Sequence, residues 1–460
     1  MQRVDDLARY GRLLLLQGPN GPFFRRLTLR LRALGATVTR VNFNAGDDFF
    51  HPRSDALCYA GSLEVWPAYL ERQLREQDIR AIVLFGQDRK PHLAALEAGR
   101  RLGIAVVVFE EGYVRPCWVT MELGGVNARS ALLHSPVPDT LQPGHAQMKQ
   151  REHFRWAFWA MAFYTGCYGL WGSLFCSRYP KYQHHKPLRC REGFYWLRAS
   201  LRKLAYALTQ HRQRQALVNP QGPRYFMVPM QIAQDGQIQH HSSWPGNEPF
   251  VTSVLRSFAA HAEGSDHLVF KHHPLEIGHA HYGGLIKGLS VELGLAGRVH
   301  YIHGGHLPSM LACAKGVVLV NSTVGLQAMH HGTPVYATGR AVYTKPGLVN
   351  TGSLDDFWRA PQAPDADRVQ RFVNQVIVST QVNASFYAPG GAWSWPARQD
   401  ALHHAAVRVH LRPAQRAPTA EPAWLNKVRL GSTRDLAGSP RAQGTGMPHE
   451  AAGLLLTEQH

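Results

Sequence analysis

The sequence lacks the cysteine pairs and cysteine–histidine spacings that mark disulfide frameworks and structural zinc sites. Its six cysteines are scattered along 460 residues, and none belongs to a CxxC pair. Histidine is frequent, with 26 residues, but beyond the pairs His240–His241 and His272–His273 it forms no cluster with ligand spacing. We therefore expect reduced cysteines, a cytoplasmic location and no tightly bound metal ion or other cofactor.

The motifs of several large enzyme classes are also missing. There is no GxxxxGK[ST] loop, which argues against a P-loop ATPase, and no GxGxxG after the first predicted strand, which disfavours a dinucleotide enzyme. There is no GxSxG, the elbow of many serine hydrolases. The amino terminus places acidic residues before a very short apolar run, so no secretory signal is predicted.

Acidic residues are scarce relative to basic ones. The chain has 32 Asp and Glu against 50 Lys and Arg, a net charge of +18. This excess favours an anionic partner, and nucleic acid, acidic lipid and a nucleotide-sugar are all candidates. Because the basic residues are dispersed and no nucleic-acid-binding module is recognisable, we do not expect nucleic acid as a partner.

Two stretches of the chain alternate short apolar runs with helical patterns. Predicted strands at 12–16, from 36, at 79–85 and at 104–110 are separated by predicted helices, and the same alternation restarts near 224. This pattern predicts the α/β class, with two Rossmann-like domains that face each other across a cleft, as in the GT-B architecture. We predict an N-terminal Rossmann-like, acceptor-side domain at 1–140, an aromatic and basic helical segment at 141–219, and a C-terminal Rossmann-like, nucleotide-binding domain at 220–385. A C-terminal helix at 386–411 and a disordered tail at 412–460 follow.

The segment between the two α/β stretches is aromatic and then basic. No charged residue occurs between 156 and 176, and a basic amphipathic stretch follows at 197–215. Three interpretations stay open: helices of a lipid-facing subdomain, a plain soluble core, and a membrane span. The abundance of Trp and Tyr favours the first, because these residues prefer the membrane interface.

Two loops of the second α/β stretch suit an anion. Asn321, Ser322 and Thr323 follow the strand GVVLV and open a helix, where free amides and hydroxyls attract phosphate. Ser and Thr are also ordinary helix caps, so a purely structural role stays open. The other loop contains Lys271, His273 and Pro274, and Gln231 occupies the same position after an earlier strand.

Two adjacent acids end a predicted buried strand. Glu110 and Glu111 follow the run VVVF, where burial makes a carboxylate costly unless it is paired or used. Arg115 is an available structural partner. The functional alternative is a carboxylate nucleophile or base at the cleft.

Polar loops also follow the strands of the first stretch. Their Asn, Gln, Asp and His side chains suit hydrogen bonding to a sugar or a lipid headgroup, although several are common turn formers. The candidate binding residues are Gln17, Asn20, Asn42, Asn44 and Asp47, together with Arg115, and His92 is a further candidate catalytic residue.

Five segments in order resemble the capsule polysaccharide biosynthesis and export family of the KpsS/LipB type. They are LLLLQGPNGPFFRRL, VNFNAGDDFF, FEEGYVRP, KHHPLE and NSTVGLQAMHHGTPV, and the similarity covers about residues 10–350. The resemblance implies a retaining transferase that moves a β-linked Kdo from CMP-Kdo to a phosphatidylglycerol-type lipid. It also implies a peripheral location on the cytoplasmic face of the inner membrane, and as partners a KpsC-type enzyme and the capsule ABC transporter.

The resemblance also assigns roles to residues. His273–Pro274 matches the family's His-Pro motif near CMP, and Ser322 and Thr323 match its phosphate-contacting helix start. Glu111 occupies the position of the expected nucleophile, where related enzymes have Asp, and Glu110 or His92 could orient or deprotonate the acceptor. Two rivals stay open: a non-catalytic export adaptor and a sugar-nucleotide epimerase.

Overall fold

The first half of the chain forms alternating strands and helices. The computed structural model describes residues 4–115, 118–141, 157–183, 191–219, 221–232 and 244–387. After a 3-10 helix at Val4–Tyr10, the elements of this half follow in chain order: β1 Arg12–Leu15, α1 Phe23–Ala33, β2 Thr37–Asn42, α2 Ala45–Phe50, β3 Leu57–Cys58, α3 Trp66–Glu76, β4 Ala81–Phe85, α4 Lys90–Leu102, β5 Ala105–Glu111 and β6 Trp118–Leu123.

In the described residues, the insertion between the two halves contains the α-helices α5 Ala157–Leu174, α6 Arg191–Thr209 and α7 His211–Leu217. α5 packs against α2 of the first half, whereas Arg198 and Arg202 of α6 donate to the backbone carbonyls of Gly278 and Ile277 in the second half. Within the described ranges, none of the helices combines the length and apolar character needed to cross a membrane.

The second half repeats the alternation of strand and helix. Its elements are β7 Tyr225–Pro229, α8 Asn247–His261, β8 His267–Lys271, α9 Gly283–Glu292, β9 Val299–Ile302, α10 Leu307–Cys313, β10 Gly316–Leu319, α11 Val324–His330, β11 Val335–Ala337, α12 Leu354–Arg359, α13 Ala366–Thr380 and β12 Gln381–Asn383.

Each half is built on its own sheet. The first sheet has the order β12-β6-β5-β4-β1-β2-β3; β1 to β5 are parallel, and β6 and β12 are antiparallel to their neighbours. The second has the order β11-β10-β7-β8-β9 and is entirely parallel. The predicted fold class, α/β with two Rossmann-like sheets, is confirmed.

The boundary predicted at residue 385 does not coincide with the sheets. β12 pairs with β6, so the last described strand belongs to the first sheet. Phe386 and Tyr387 follow it as a turn, and Phe386 packs in the core of the first half. The rest of the helix predicted at 386–411, and the tail at 412–460, lie outside the described residues.

Both faces of each sheet are covered, which explains the uninterrupted apolar runs of the central strands. Successive side chains of a strand point to opposite faces. Accordingly Leu13 and Leu15 of the first half pack in one cluster, and Leu14 and Leu16 pack in another. The sheets thus place their polar loops at the carboxyl ends of buried strands, where open α/β sheets bind ligands.

The two halves are joined by a buried lysine. Lys345 donates from Nζ to the carbonyl oxygens of Leu132 at 2.7 Å and Ser135 at 2.8 Å. Tyr113 and Leu132 of the first half pack in the apolar cluster on one face of the second sheet. Polar and apolar contacts therefore hold the 127–137 segment of the first half against the second.

Candidate functional site

Two adjacent carboxylates end β5 at the carboxyl edge of the first sheet. Glu110 and Glu111 are both half-buried, and the backbone N–H of Glu111 donates to Glu110 Oε1 at 3.1 Å. Tyr387 lies beside them: burial raises the pKa of its hydroxyl, and the charges of Glu111 and Glu110 raise it further, whereas Arg89 opposes them. The predicted carboxylate pair therefore belongs to a polar cluster with a tyrosine and an arginine.

Arg89 links this cluster to the loop after β1. Its Nη1 donates to Gln17 Oε1 at 3.0 Å and to the carbonyl of Gly18 at 3.2 Å. A Cβ placed on Gly86 would lie 3.7 Å from both Arg89 Nε and Glu110 Oε2. Arg89 and Glu110 thus flank the same glycine, and the arginine holds a positive charge next to the carboxylate pair.

His92 is buried beside the loop that contains Arg89. Its side chain is fully buried at the start of α4, and its Nδ1 donates to the carbonyl oxygen of Gly86 at 2.5 Å. Burial, followed by the positive charge of Arg89, lowers the pKa of His92 to about 3, so the ring is neutral at pH 7. Its catalytic role stays a prediction, and in this structure its hydrogen bond to Gly86 fixes the turn that contains Arg89.

Three of the predicted acceptor-binding side chains are engaged inside the protein. Asn44 and Asp47 form the capping box of α2, each side chain accepting from the other's backbone N–H. Gln17 Nε2 donates to Asp47 Oδ2 at 3.1 Å and to Tyr168 Oη of α5 at 3.0 Å. Tyr168 also accepts from Asn44 Nδ2 at 2.5 Å and donates to Asp47 Oδ1 at 3.1 Å.

This buried network docks the insertion on the first half. Gln17, Asn44 and Asp47 are 2%, 6% and 5% exposed, so in this structure they do not offer a surface to an acceptor. Burial raises the pKa of Asp47, although donors from the backbone of Phe43 and from other neighbours oppose the shift. The loops were predicted to bind a sugar or headgroup, and here they bind the aromatic helix instead.

The remaining candidates of the first half differ in exposure. Asn42 is fully buried and donates to Asp48 Oδ1 at 2.9 Å, an atom that also accepts from Tyr179 Oη at 2.6 Å. Asn20 is half-buried, whereas Arg115 is exposed and donates to the carbonyl of Gly112 at 3.2 Å. Among these three, Asn20 and Arg115 remain accessible to a ligand.

In the second sheet, Gln231 and Asn321 join the ends of neighbouring strands. Gln231 Nε2 donates to Asn321 Oδ1 at 3.0 Å, and Gln231 Oε1 accepts from the backbone N–H of Asn321 at 3.1 Å. Ser322 and Thr323 follow half-buried at the start of α11, and Ser322 Oγ accepts from the N–H of Val324 at 3.3 Å. The hydrogen bonds between Gln231 and Asn321 thus fix the conformation of the loop in which the predicted phosphate contacts lie.

The loop after β8 opens onto a cavity. Lys271 is 8% exposed, and burial lowers its pKa. His273 is half-buried, and its Nδ1 accepts from the N–H of Leu275 at 3.2 Å. Lys271 and Pro274 line a cavity of about 270 Å³, together with residues of α6 and α7 and the loop after β9.

Sequence reasoning did not single out Arg89, Tyr387, Tyr168 or His303. The only local signal for Arg89 was its place in a polar loop after a strand, whereas Tyr387 reaches the carboxylates because β12 pairs across the chain. Among the described residues, no group of three or more potential ligands could hold a metal ion.

Comparison with known proteins places this architecture among capsule proteins. The family model described as "Capsule polysaccharide biosynthesis protein" matches residues 80–387. The Escherichia coli "Capsule polysaccharide export protein KpsS" is 37% identical over 386 residues, covering 81% of this chain and 96% of that protein.

Two further similarities extend this comparison. The "Capsule polysaccharide modification protein LipB" of Neisseria meningitidis serogroup B is 34% identical over 392 residues, covering 82% of this chain and 91% of its own. Among solved structures, the Thermosulfurimonas dismutans KpsC, a β-Kdo 2,7 transferase, is 13% identical with a TM-score of 0.38, covering 79% of this chain and 89% of that one.

Proposed function

The chain belongs to the capsule polysaccharide biosynthesis protein family, and on this premise we propose that it is a glycosyltransferase that begins the capsule linker. In this proposal it adds the first β-linked Kdo from CMP-Kdo to a phosphatidylglycerol-type lipid, with retention of configuration. The lipid-linked product would then pass to a KpsC-type enzyme and to the capsule export machinery.

The carboxylate pair at the end of β5 is the observation that carries the proposal. Glu110 and Glu111 are partly accessible, lie at the carboxyl edge of a parallel sheet, and stand beside Arg89 and Tyr387. An adaptor that only hands on a polymer does not need such a group. A retaining transferase needs a nucleophilic carboxylate, and a second carboxylate next to it can act as a base.

The donor is assigned to the second half. Lys271 presents a largely buried cation at the end of β8, next to His273 and Pro274. Ser322 and Thr323 offer hydroxyls after β10, on the loop that Gln231 fixes through Asn321. These groups would stabilise the negative charge that grows on CMP as it leaves.

Transfer proceeds by two displacements. In the first, a Glu111 oxygen bonds to the anomeric carbon, and the bond from that carbon to the phosphate oxygen breaks with its electron pair leaving on CMP. In the second, the acceptor hydroxyl attacks the same carbon, Glu111 departs as a carboxylate, and the hydroxyl proton passes to Glu110. Two inversions give net retention.

The insertion is the proposed membrane-contacting part. Exposed apolar side chains on α5 (Trp159, Phe163, Leu170, Leu174) and on α6 (Phe194, Leu201, Leu204, Leu208) repeat at helical spacing, and each is 62% to 74% exposed. With the net charge of +18, these stripes suit the surface of an anionic bilayer. A peripheral enzyme on the cytoplasmic face of the inner membrane would thereby reach its lipid acceptor.

A non-catalytic export adaptor is the second candidate. The exposed stripes favour it as much as they favour a lipid-modifying enzyme, because both must approach lipid-linked material. The two candidates differ at Glu111, on which only the transferase depends.

The test is incubation of the purified chain with CMP-Kdo and a fluorescent phosphatidylglycerol, with the product identified by mass spectrometry. We expect one added Kdo, with the rate reduced by roughly 10³-fold or more in Glu111→Gln, the size of loss typical for a nucleophile. Lys271→Ala and His273→Ala should each weaken the use of CMP-Kdo as the donor.

Glu97→Gln is the matched control, since Glu97 is an exposed carboxylate of α4 that pairs with Arg100 on the surface. It should retain the wild-type rate. If the folded wild-type chain binds the lipid but forms no product, the transferase proposal fails and the adaptor is favoured.

A further inference from the structure

The winding of the first sheet reverses between β1 and β4. β1 pairs with β2 on one side and with β4 on the other. The helix after β1, α1, packs in the apolar cluster that contains Leu13 and Leu15, whereas the helix after β4, α4, packs in the cluster that contains Leu14 and Leu16. The loops after β1 and β4 therefore diverge to opposite faces of the sheet. They leave a crevice at the carboxyl ends of the two strands, which is where open α/β sheets bind ligands.

Arg89, in the loop after β4, reaches across this crevice. Its Nη1 donates to Gln17 Oε1 at 3.0 Å and to the carbonyl oxygen of Gly18 at 3.2 Å, and both acceptors belong to the loop after β1. The guanidinium carbon lies 5.1 Å from the centroid of the Phe85 ring. The side chain is half-buried. The guanidinium group is thus held across the crevice by both loops and by an aromatic ring.

One edge of this guanidinium group remains available. Among the residues that the structure describes, Arg89 forms no ion pair, and its side-chain hydrogen bonds are the two from Nη1. The N–H groups of Nε and Nη2 point side by side and match the two oxygens of a carboxylate. Arg30 shows this mode in the same chain, because its Nε and Nη2 donate to the two carboxylate oxygens of Asp5 at 3.0 Å and 2.7 Å.

The carboxylate pair at the end of β5 lies close to this edge. A Cβ placed on Gly86 would lie 3.7 Å from Arg89 Nε and 3.7 Å from Glu110 Oε2, so less than twice that distance separates the two atoms. Gly86 has a φ of +73°, a conformation that disfavours a side chain at this position. The cation and the carboxylate therefore flank a space that the glycine leaves open.

The chemistry of the proposed donor requires a cation in this position. In a sugar acid such as Kdo, the anomeric carbon carries the carboxylate as well as the leaving phosphate. When Glu111 attacks that carbon, the carboxylate of the sugar, one bond away, is brought next to the charges of Glu110 and Glu111. Like charges at such short range repel each other unless a cation compensates them. Arg89 is placed to supply that compensation.

We infer that Arg89 binds the carboxylate of the donor sugar through Nε and Nη2 and thereby selects a sugar acid over a neutral sugar. The inference rests on the proposed function for the identity of the sugar. The nucleotide stays with the second half, and Arg89 contacts only the sugar. The acceptor lipid also carries an anion, its phosphate, but the group that reacts is a neutral hydroxyl farther along the headgroup.

The test is a ligand-observed NMR titration of the full chain with free Kdo and with Kdo whose carboxyl group is converted to the amide, each in the presence of CMP. The two probes differ in charge at one group. We expect the wild type to bind the acid at least about tenfold more tightly than the amide, because a bidentate, charged pair is replaced by weaker hydrogen bonds. In Arg89→Gln this preference should disappear.

Arg89→Lys is the second variant, and it keeps the charge but lacks the paired N–H groups. It should retain a smaller preference for the acid, and it keeps the test valid if Arg89→Gln does not fold. Arg100→Gln is the matched control, since Arg100 is an exposed arginine of the adjoining helix α4 that pairs with Glu97. It should bind both probes like the wild type. The inference is overturned if the wild type does not prefer the acid, or if a folded Arg89 variant keeps the full wild-type preference.

Two further arms separate this inference from its neighbours. Glycerol phosphate, a soluble stand-in for the acceptor headgroup, should not displace Kdo; if it does, Arg89 serves the acceptor and the inference fails. Transfer from CMP-Kdo to the lipid is assayed in parallel. A wild type that prefers the acid but forms no product supports the carboxylate site and contradicts the transferase proposal. Product formation, together with an unchanged preference for the acid in Arg89→Gln, does the reverse.

Discussion

Two glutamates on neighbouring strands differ in burial and in hydrogen bonding. Glu111 ends β5 half-buried beside Tyr387, whereas Glu122 of the adjacent strand β6 is 7% exposed. Glu122 accepts from Tyr113 Oη at 2.7 Å and from Ser130 Oγ, so its carboxyl group is engaged in holding the loop at 127–130. Position relative to the sheet edge therefore separates a partly accessible carboxylate from a buried, hydrogen-bonded one.

The structural carboxylate makes stability depend on pH. Burial, only partly offset by hydrogen bonds from Ser130 and Tyr113, raises the pKa of Glu122 from 4.5 to about 7. A raised pKa in the folded state means that the folded protein holds the proton more tightly. This contribution is complete below pH 4.5 and is lost as the pH rises to 7.

We expect Glu122→Gln to be more stable relative to wild type at pH 8 than at pH 5. The change in the difference should be on the order of 3 kcal/mol or less, the equivalent of the pKa shift. Melting temperatures of both proteins at the two pH values measure it, with the exposed Glu97→Gln as reference. A difference that does not change with pH would show that Glu122 is ionised in the fold.

At the scale of elements, one tyrosine holds α5 to the first half. Tyr168 Oη is bonded to Gln17, Asn44 and Asp47, all buried. We expect Tyr168→Phe to lower the free energy of unfolding by about 1–3 kcal/mol, because buried polar groups lose their partner. Thermal melting of the variant measures the loss.

Tyr164→Phe is the control on the same helix. The ring of Tyr164 lies against Gly21, a contact that phenylalanine preserves. Its effect should stay within about 0.5 kcal/mol. Equal melting temperatures for both variants would mean that the network does not hold the helix.

The apolar stripes of α5 and α6 predict membrane binding. We expect Trp159→Glu and Leu204→Glu each to weaken binding to vesicles that contain phosphatidylglycerol by about tenfold, measured by sedimentation. Each variant removes an apolar side chain that would be buried in the bilayer interface. Val291→Glu is the matched control, since Val291 is 66% exposed but lies on α9 of the second half. If all three variants sediment alike, the stripes do not face the bilayer.

At the scale of the whole molecule, the sequence predicted both sheets because their central strands are uninterrupted apolar runs. The sequence also predicted that Glu110, Glu111 and Lys271 lie at strand ends, because they directly follow apolar runs along the chain. The pairing of β12 with β6 was not predictable, because the three residues of β12 have no local signal and their partner lies over 250 residues away in the chain.

The polar loops of the first half show a second limit of sequence reasoning. Asn44 and Asp47 were predicted to bind a ligand, and their composition suits that role. Only the folded chain reveals that Tyr168, 121 residues after Asp47, occupies their hydrogen-bonding groups. Long-range contacts therefore decide whether a polar loop binds a ligand or holds two parts of the fold together.

The nucleophilic role of Glu111 is tested most directly by incubating the chain with CMP-Kdo in the absence of acceptor. The reaction is then quenched rapidly with acid, and the chain is examined by mass spectrometry. A double displacement predicts one Kdo bound covalently to the peptide containing Glu111, absent in Glu111→Gln and present in Glu97→Gln. Without acceptor, the second displacement is slowed, so the adduct accumulates. An unmodified Glu111, together with normal lipid glycosylation by Glu111→Gln, would contradict the assignment of this residue as the nucleophile.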